Sequence, residues 1–309
     1  MEIEQELASV TPEGETLLTI GVFDGVHAGH RCLLKQLQEL AVGRNLISGV
    51  VTFSPHPQSV LHTHRQLPWL TSLKDRVGAF QMLGVKIVAV LTFTPEVAQL
   101  SAREFISLIK KHLSMHGVVV GPDFALGKGK EGNINMLRAL GYEMGFSVDV
   151  IPPFRINGEI VSSTLIRRAL AEGDMKKVTK LMGRYFYLEG EIITSEKRGR
   201  ILGFPTANLD VKPQQALPGN GIYATIAYVQ GKHFHSVTNI GIRPTFGTGE
   251  EMVETHLLNY KGNLYGKYIR VEFVQKIRDE ERFPSSEELK TQIGKDIREV
   301  KAILAKDLK

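Results

Sequence analysis

The sequence predicts an α/β protein in two parts: a parallel sheet covered by helices, then an antiparallel β-barrel that ends in a helix. Three observations predict this architecture. The 309 residues suit two domains rather than one. Up to about residue 183, apolar runs alternate with segments of helical periodicity. Beyond that point, several runs alternate apolar and polar residues with a period of two. We therefore expect domains at residues 1–183 and 184–309.

The first part reads as a regular alternation of strand and helix. After the first strand, apolar residues recur at helical spacing from Leu33 to Ala41. The predicted strands are Leu17–Phe23, Ile47–Phe53, Val85–Leu91, Gly117–Gly121 and Ser147–Ile151, and the further helices are Leu73–Leu83, Arg103–Leu113 and Asn135–Met144. Such apolar strands are typical of a parallel sheet buried on both faces. Because ligands of these sheets lie outside the carboxyl ends of the strands, we expect the chemistry in the loops that follow them.

In the second part, short strand-like runs are separated by turns that contain Gly and Pro, and neither part has an internal repeat. The predicted strands are Phe186–Ile193, Gly221–Val229, His233–Ile240, Val253–Tyr260 and Tyr268–Gln275. The chain then closes with a helix that Pro284-Ser285-Ser286 starts, and its apolar stripe is Leu289, Ile293, Ile297, Val300 and Ile303. The pattern predicts an antiparallel barrel with a terminal helix.

Composition narrows the class of protein. One cysteine, Cys32, excludes an internal disulfide framework and suits a reducing compartment. The first residues lack the basic and apolar regions of a secretory signal, and no apolar stretch is long enough to span a bilayer, so we expect a cytoplasmic protein without a membrane partner. The net charge of +5 comes without a basic run or aromatic stripe. It therefore favours small anionic substrates over nucleic acid, and it leaves the oligomeric state open.

The first chemical motif is GVFDGVHAGH, residues 21–30, which joins the first strand to a helix. Gly25 and Gly29 let the backbone approach a ligand, and a helix N-terminus favours phosphate. His27 and His30 can stabilise the charge that develops on a phosphate during its transfer. Two alternatives stay open: the histidines are structural, or they are part of a metal site, although no third ligand is evident nearby.

A second motif, VSSTLIR, covers residues 161–167 at the start of another predicted helix. Hydroxyls in such places are most often helix caps. Followed by arginine, they can also grip a triphosphate through charge-assisted hydrogen bonds. The pairing of this motif with H-x-G-H favours the phosphate-binding interpretation.

Together the two motifs resemble the nucleotidyltransferase superfamily, whose Rossmann-like domains transfer adenylyl groups. Two more segments, FSPHP at residues 53–57 and GPDFALG at residues 121–127, resemble the FMN adenylyltransferase domain of bacterial bifunctional FAD synthetases. The resemblance covers nearly all of residues 16–183. It implies that an FMN phosphate oxygen attacks the α-phosphorus of ATP, which releases pyrophosphate, with magnesium bridging the phosphates.

The resemblance also implies roles for particular residues in this domain. His27 and His30 would be catalytic. The ATP-binding residues would be Gly21, Phe23, Asp24, Gly25, Ser163, Thr164 and Arg167, and the flavin-binding residues Phe53, His56, Pro57, Asp123 and Phe124. Lys130 and Asn133 stand where the family commonly carries an arginine and an aspartate.

In the second part, the informative run is GRILGFPTAN, residues 199–208. Thr206 and Asn208 face the same way if the segment is extended, so their oxygens can help to ligate one hard cation. Glu254 lies in a strand pattern that places it with His256, opposite Val253 and Thr255. If that face lines a cavity, Glu254 can accept a proton from a hydroxyl nucleophile. A plain hairpin turn and a solvated carboxylate are the alternatives.

These pieces resemble the riboflavin kinase domain over essentially all of residues 184–309. The matching segments are GFPTAN, Gly221-Ile222-Tyr223, NIGIRPTFG at residues 239–247, Glu254, and IRDE at residues 277–280 with Phe283. The resemblance implies that Gly199, Gly203, Pro205, Thr206 and Asn208 bind ATP, with Thr206 and Asn208 as magnesium ligands. Glu254 would be the base for the ribityl hydroxyl, and Arg278 and Phe283 would bind the flavin.

The resulting hypothesis is a bifunctional enzyme that phosphorylates riboflavin to FMN and adenylylates FMN to FAD. One alternative is an enzyme in which only the kinase or only the adenylyltransferase is active. Another gives the first domain a different acceptor, such as a pantetheine or a pyridine mononucleotide. A third is a flavin- or RNA-binding regulator on a disused enzyme scaffold, although all of the residues that such a protein would lose are present.

Overall fold

The structure is a computed structural model that describes residues 2–61, 67–193, 203–243 and 250–307. The chain divides into two compact units, Met1–Ser163 and Thr164–Lys309. This division falls twenty residues before the boundary expected from the sequence.

The first unit contains a five-stranded parallel sheet. Its strands are β1 (Thr16–Ile20), β2 (Ile47–Ser54), β3 (Ile87–Thr92), β4 (Met115–Val120) and β5 (Ser147–Val150), in the order β3-β2-β1-β4-β5. Its helices are α1 (Glu2–Ala8), α2 (Ala28–Gly43), α3 (Pro57–Leu61), α4 (Leu73–Met82), α5 (Ala102–Leu113) and α6 (Ile134–Met144). A short hairpin, β6 (Arg155–Ile156) and β7 (Glu159–Ile160), follows. The predicted parallel sheet is confirmed.

Successive residues of β1 enter different apolar cores. Leu17 packs in a cluster with Leu34 and Phe80, whereas Leu18 belongs to a second cluster with Phe105. Because side chains alternate across a strand, the two clusters lie on opposite faces of the sheet. The sheet is therefore covered on both faces, as the apolar strands predicted.

The first unit differs from the prediction in the bounds of its strands and in α1, α3 and the β6–β7 hairpin, which were not predicted. β1 ends at Ile20, three residues before the predicted end, because the backbone turns sharply around Phe23, where φ is 55°. The helix α1 was not predicted, since it has only two turns and buries only Ile3 and Leu7. Its Glu6 carboxylate accepts hydrogen bonds from the backbone N–H and the hydroxyl of Thr92, at the end of β3.

The second unit is a closed antiparallel barrel with helices before and after it. Helix α7 (Ser163–Ala171) begins at the last residue of the first unit, and α8 (Met175–Met182) follows. The strands are β8 (Phe186–Ile193), β9 (Ala207–Asp210), β10 (Gly221–Val229), β11 (Lys232–Arg243), β12 (Glu250–Leu257) and β13 (Tyr268–Arg278), and α9 (Ser286–Asp307) ends the chain. Around the barrel the order is β10-β11-β12-β9-β8-β13.

The predicted antiparallel barrel with a terminal helix is confirmed, and helix α8 and the short strand β9 were not predicted. β12 begins earlier and ends earlier than expected, at Glu250 and Leu257. Inside the barrel, hydroxyl groups on four fully buried residues bond to one another, so this polar core is satisfied. These residues are Thr225, Ser236, Thr238 and Thr255.

Helix α9 begins where the sequence indicated. The Ser285 hydroxyl accepts a hydrogen bond from the backbone N–H of Glu288, as an N-cap does. Val300 and Leu304 are fully buried, and Ile297 and Ile303 pack against the same apolar cluster as these two. Within the ranges that the structure describes, none of the helices combines the length and apolar character of a membrane span.

Candidate active sites

The turn between β1 and α2 is shaped by one buried carboxylate. Asp24 is 4% exposed, and its oxygens accept hydrogen bonds from the backbone N–H groups of Leu70 (3.0 Å) and Thr71 (3.1 Å). The Thr71 hydroxyl in turn accepts one from the N–H of Gly25 at 3.0 Å. This turn follows the strand beside the point where the sheet order reverses, which is the usual ligand-binding position in such sheets.

The two histidines of the motif stack on each other at the start of α2. Their ring centroids are 3.6 Å apart and the ring planes differ by 16°. His27 is the N-cap of the helix, and its Nδ1 accepts a hydrogen bond from the backbone N–H of His30 at 3.3 Å. Since Nδ1 is an acceptor, the proton of a neutral His27 ring is on Nε2, which is therefore a donor. No group of three or more potential metal ligands occurs in the described part of the chain.

His30 is held in its neutral form. Burial, then the neighbouring His27 and Arg76, hold the pKa of His30 well below its ordinary value. Its Nδ1 is shielded from solvent and has no hydrogen-bond partner among the described residues. In a neutral ring one nitrogen donates and the other accepts, so the unpaired Nδ1 can bind a ligand in either role.

Arg76 of α4 is a site residue that sequence reasoning missed. It is 6% exposed, and its guanidinium donates hydrogen bonds to the carbonyl oxygens of Val22 and Phe53 and to the hydroxyl of Thr52. Burial lowers its pKa, and the charge of Asp24 partly opposes that effect. The guanidinium therefore ties the ends of β1 and β2 together and places a buried positive charge there.

The second predicted phosphate motif starts α7. The hydroxyl of Ser163, the last residue of the first unit, donates to the carbonyl oxygen of Asp24 at 2.8 Å. Thr164 and Arg167 follow on α7 and belong to the second unit. Their predicted roles in ATP binding stay predictions.

The predicted flavin-binding segments lie at the ends of β2 and β4. Phe53 packs against Phe93 and Phe105, with ring centroids 5.7 and 6.1 Å apart. Pro57 starts α3, and the Nδ1 of His56 accepts a hydrogen bond from the N–H of Gln58.

After β4, Phe124 packs against the apolar core while Asp123 is exposed. Further along the same loop, Asn133 is the N-cap of α6 and accepts hydrogen bonds from the N–H groups of Asn135 and Met136, both at 3.1 Å. Asparagine and aspartate cap helices about equally well. The asparagine at this position therefore preserves the local structure that an aspartate would give.

In the barrel, Glu254 lies directly opposite Asn208 of β9. Asn208 is 3% exposed and Glu254 is half-buried. Val253, Thr255 and Leu257 are buried, so Glu254 and His256 share the other face of the strand, as predicted.

The loop before β9 is fixed to that same face of β12. The Nδ1 of His256 lies 2.7 Å from the carbonyl oxygen of Pro205, which can only accept, so this nitrogen carries the proton. The His256 ring also contacts Phe204 edge-on. Thr206 is half-buried and Gly203 has a φ of 87°. The predicted ATP-binding Gly199 lies outside the described residues, as do residues 244–247 of the NIGIRPTFG segment.

A cavity of about 460 Å³ opens beside Asn208. Residues from β9, from the segment after it and from β12 line the cavity, including Asp210, Lys212, Gln215 and Glu251. Its volume is within the range of small-molecule sites, and its lining is partly polar.

Arg278 and Phe283 come together at the end of β13. The Arg278 guanidinium lies over the Phe283 ring, 5.7 Å from its centroid. Asp296 of α9, which is 3% exposed, accepts hydrogen bonds from Nε of Arg278 at 3.1 Å and from Nη2 at 2.8 Å. This pairing raises the pKa of Arg278. Gln292 also donates to Asp296, at 2.9 Å. Sequence reasoning named the arginine but missed both helix residues.

Comparisons with known proteins match both units. The FAD synthetase family model matches residues 10–165, and the riboflavin kinase model matches residues 182–304. A crystal structure from Streptococcus pneumoniae, described as a macrolide-efflux protein, aligns with a TM-score of 0.88 and 26% identity over 96% of each chain.

Curated relatives match over almost the whole chain. The bifunctional riboflavin kinase/FMN adenylyltransferase of Escherichia coli K12 is 39% identical over 290 residues, which cover 93% of this chain and 92% of the relative. The Pseudomonas fluorescens protein of the same description is 36% identical over 308 residues, which cover 99% of this chain and 98% of the relative. This chain is a member of the bifunctional riboflavin kinase/FMN adenylyltransferase family.

Proposed function

We infer that the chain phosphorylates riboflavin to FMN with ATP and then transfers AMP from a second ATP to FMN, which gives FAD and pyrophosphate. The observation that carries this inference is that two different parts of the chain match two different enzyme families. One family model matches the unit with the histidine pair, and the other matches the barrel with Glu254. We propose residues 1–183 as the adenylyltransferase domain and residues 184–309 as the kinase domain.

In the kinase reaction, Glu254 is the proposed general base. It removes the proton from the 5′-hydroxyl of riboflavin while that oxygen attacks the γ-phosphorus of ATP. The new O–P bond forms as the bond between the γ-phosphorus and the bridging oxygen breaks, and ADP leaves. Arg278 and Phe283 are the proposed contacts of the flavin ring, since the guanidinium and the aromatic ring lie together at the end of β13.

Thr206 and Asn208 are the proposed ligands of the magnesium ion that accompanies ATP. Hydroxyl and amide oxygens are hard donors of the kind that magnesium accepts, so the residues present fit the ion. A bound magnesium ion would neutralise part of the charge on the phosphates. Gly203 and Pro205 are proposed to shape the ATP loop, whose position on the barrel is fixed through the hydrogen bond between Pro205 and His256.

In the adenylyltransferase reaction, an oxygen of the FMN phosphate attacks the α-phosphorus of ATP, and pyrophosphate leaves. His27 and His30 are proposed to stabilise the charge that builds up on the α-phosphate. Ser163, Thr164 and Arg167 are the proposed holders of the leaving phosphates. The other residues proposed to bind ATP are in the turn between β1 and α2: Gly21, Phe23, Asp24 and Gly25. The residues proposed to bind the flavin are Phe53, His56, Pro57, Asp123 and Phe124. We propose that both reactions take place in the cytoplasm, where ATP is supplied.

The test is to incubate the purified chain with riboflavin, ATP and magnesium and to separate the flavins by chromatography. We expect FMN and then FAD. His30→Ala should stop at FMN, whereas Glu254→Ala should form no FMN but still convert added FMN to FAD. If the wild-type chain makes neither product, the proposed function is wrong. If it makes FMN alone, only the kinase is supported.

A further inference from the structure

Five residues lie in one row across neighbouring strands of the barrel. Asn208 of β9 is paired with Glu254 of β12, which is paired with Asn239 of β11. Asn239 is paired with Ile222 of β10, and Ile222 with Arg278 of β13. Directly paired residues on antiparallel strands place their side chains on the same face. The row therefore runs from the proposed magnesium-ATP ligand, through the proposed base, to the proposed flavin contact.

Asn239 occupies the position between the base and the flavin end of this row. Its Cβ atom is expected about 4.5–5.5 Å from that of Glu254, the usual separation of paired residues. Arg278 lies two strands beyond Asn239. At a strand spacing of roughly 4.8 Å, the two residues are about 10 Å apart. In riboflavin, the ribityl chain joins the ring system to the 5′-hydroxyl, so its secondary hydroxyls must cross the region between Arg278 and Glu254.

The amide of Asn239 is suited to bind a hydroxyl group. Its Oδ1 is shielded from solvent and has no hydrogen-bond partner among the described residues. Shielded polar atoms in folded proteins are nearly always paired, so an unpaired acceptor beside a catalytic base points to a ligand donor. A hydroxyl can donate to the amide oxygen or accept from the amide N–H₂, so the match holds for either orientation of the amide.

We propose that Asn239 binds a secondary hydroxyl of the ribityl chain and thereby holds the 5′-hydroxyl at Glu254. This inference rests on the proposed kinase reaction and adds to it a residue that recognises the polyol. It makes Asn239 a determinant of specificity for flavins whose side chain carries secondary hydroxyls.

The test compares two substrates in wild type and Asn239→Ala. One substrate is riboflavin, and the other is a flavin whose ring nitrogen carries a 5-hydroxypentyl chain, which keeps the reacting hydroxyl and lacks the secondary ones. For riboflavin we expect kcat/KM to fall by about 10- to 100-fold, since the secondary hydroxyl of the bound substrate is left without its hydrogen-bond partner. For the hydroxypentyl flavin the fall should be no more than about two-fold, because the contact is already missing. Dissociation constants from flavin fluorescence quenching make the same comparison where turnover is slow.

Two controls separate the possible results. Asn263→Ala removes an amide from an exposed turn of the same unit and should change neither substrate's kinetics. Conversion of added FMN to FAD by Asn239→Ala should stay at the wild-type rate, which shows that the first unit is unaffected, and its nearly unchanged turnover of the hydroxypentyl flavin shows that the barrel is folded. An equal loss with both flavins would overturn the proposal and leave the kinase reaction intact. A wild-type chain that phosphorylates neither flavin would overturn both.

Discussion

Gly29 lies between the two histidines, and an added methyl group there would press on His27. A Cβ at this position would be 3.2 Å from the Nδ1 and Cε1 atoms of that ring and 3.3 Å from the carbonyl oxygen of Val161. We expect Gly29→Ala to displace His27 by a few tenths of an ångström and to slow FAD formation from FMN by up to about 10-fold, since a full 1 Å shift at a reacting centre costs about 100-fold. The measurement is the initial rate with FMN and ATP.

Gly43→Ala is the matched control for this prediction. Gly43 ends the same helix, and a Cβ there would meet nothing within 4 Å. Its rate should equal that of the wild type, and the folded state should gain about 0.4–1 kcal/mol from the reduced freedom of the unfolded chain. Equal rates in Gly29→Ala and wild type would show that the position of His27 does not limit the reaction.

His30 gives the first unit a specific dependence of stability on pH. Burial, His27 and Arg76 hold its folded-state pKa well below the ordinary value of 6.5. Below pH 6.5 the unfolded chain therefore binds this proton more readily than the folded chain, and the free energy of unfolding falls. The contribution is at most about 1.4 kcal/mol per pH unit, and it levels off below the folded-state pKa.

The only tryptophan of the chain, Trp69, allows this prediction to be measured. It is adjacent to Leu70, whose N–H binds Asp24, so its fluorescence reports unfolding of the first unit. Urea unfolding curves from pH 7.5 to pH 5 should show a flatter pH dependence for His30→Asn than for the wild type. If the free energy of unfolding depends on pH to the same extent in both proteins, the pKa of His30 is the same in the folded and the unfolded chain.

Among individual residues, those in short motifs could be predicted from the sequence, whereas those whose hydrogen bonds hold the motifs in place were missed. Arg76 is four residues before the buried Phe80, so both lie on the same face of α4. Asp296 lies within the apolar stripe of α9 in the same way, three residues after Ile293 and four before Val300. A charged residue on an apolar helix face is a readable signal for a buried hydrogen-bonding group. Its partners could not be read, because they come from distant parts of the chain.

Among the elements, α9 is attached to the barrel by the ion pair of Asp296 with Arg278. Asp296 is buried, but the Arg278 side chain is 16% exposed and also lies near Glu280 and Glu281. Removing Asp296 therefore costs about 1.5–3 kcal/mol, the usual cost of hydrogen bonds to a charged group. We expect Asp296→Ala to destabilise the barrel by this amount and to raise the KM for riboflavin, since Arg278 loses its orientation. Urea unfolding followed by circular dichroism, together with kinase assays, measures both effects.

Glu299→Ala is the control on the same helix. Glu299 is exposed, so its loss should change the stability by no more than about 0.5 kcal/mol. Tryptophan fluorescence should give the same transition in all three proteins, because Trp69 belongs to the first unit. If Asp296→Ala is no less stable than Glu299→Ala, the ion pair does not hold the helix.

The elements that the sequence failed to predict are short. Helix α1 has seven residues and β9 has four, which is too few for a periodic pattern to stand out. The pairing of the strands also could not be predicted from the sequence. Thus Glu254 and Asn208 could be proposed for one site, but the position of Asn239 on the other side of Glu254 became visible only from the register.

In the whole molecule, the two reactions are assigned to two units that have separate apolar cores. The sequence predicted this organisation because the rhythm of the chain changes, and each part carries its own set of motifs. A unit with its own core can keep its fold when a residue in the other is replaced. The product of the first reaction, FMN, is a small soluble anion that can diffuse from one chain to another.

These properties predict that two defective chains complement each other. We expect an equimolar mixture of Glu254→Gln and His30→Asn to form FAD from riboflavin, although neither variant does so alone. The first variant retains the adenylyltransferase and the second retains the kinase. With each active site at its wild-type concentration, the rate should be within about two-fold of the wild-type rate, as independent domains would give. Chromatography of the flavins over time measures it. A mixture that accumulates FMN without FAD would show instead that FMN must pass between the two sites of one chain.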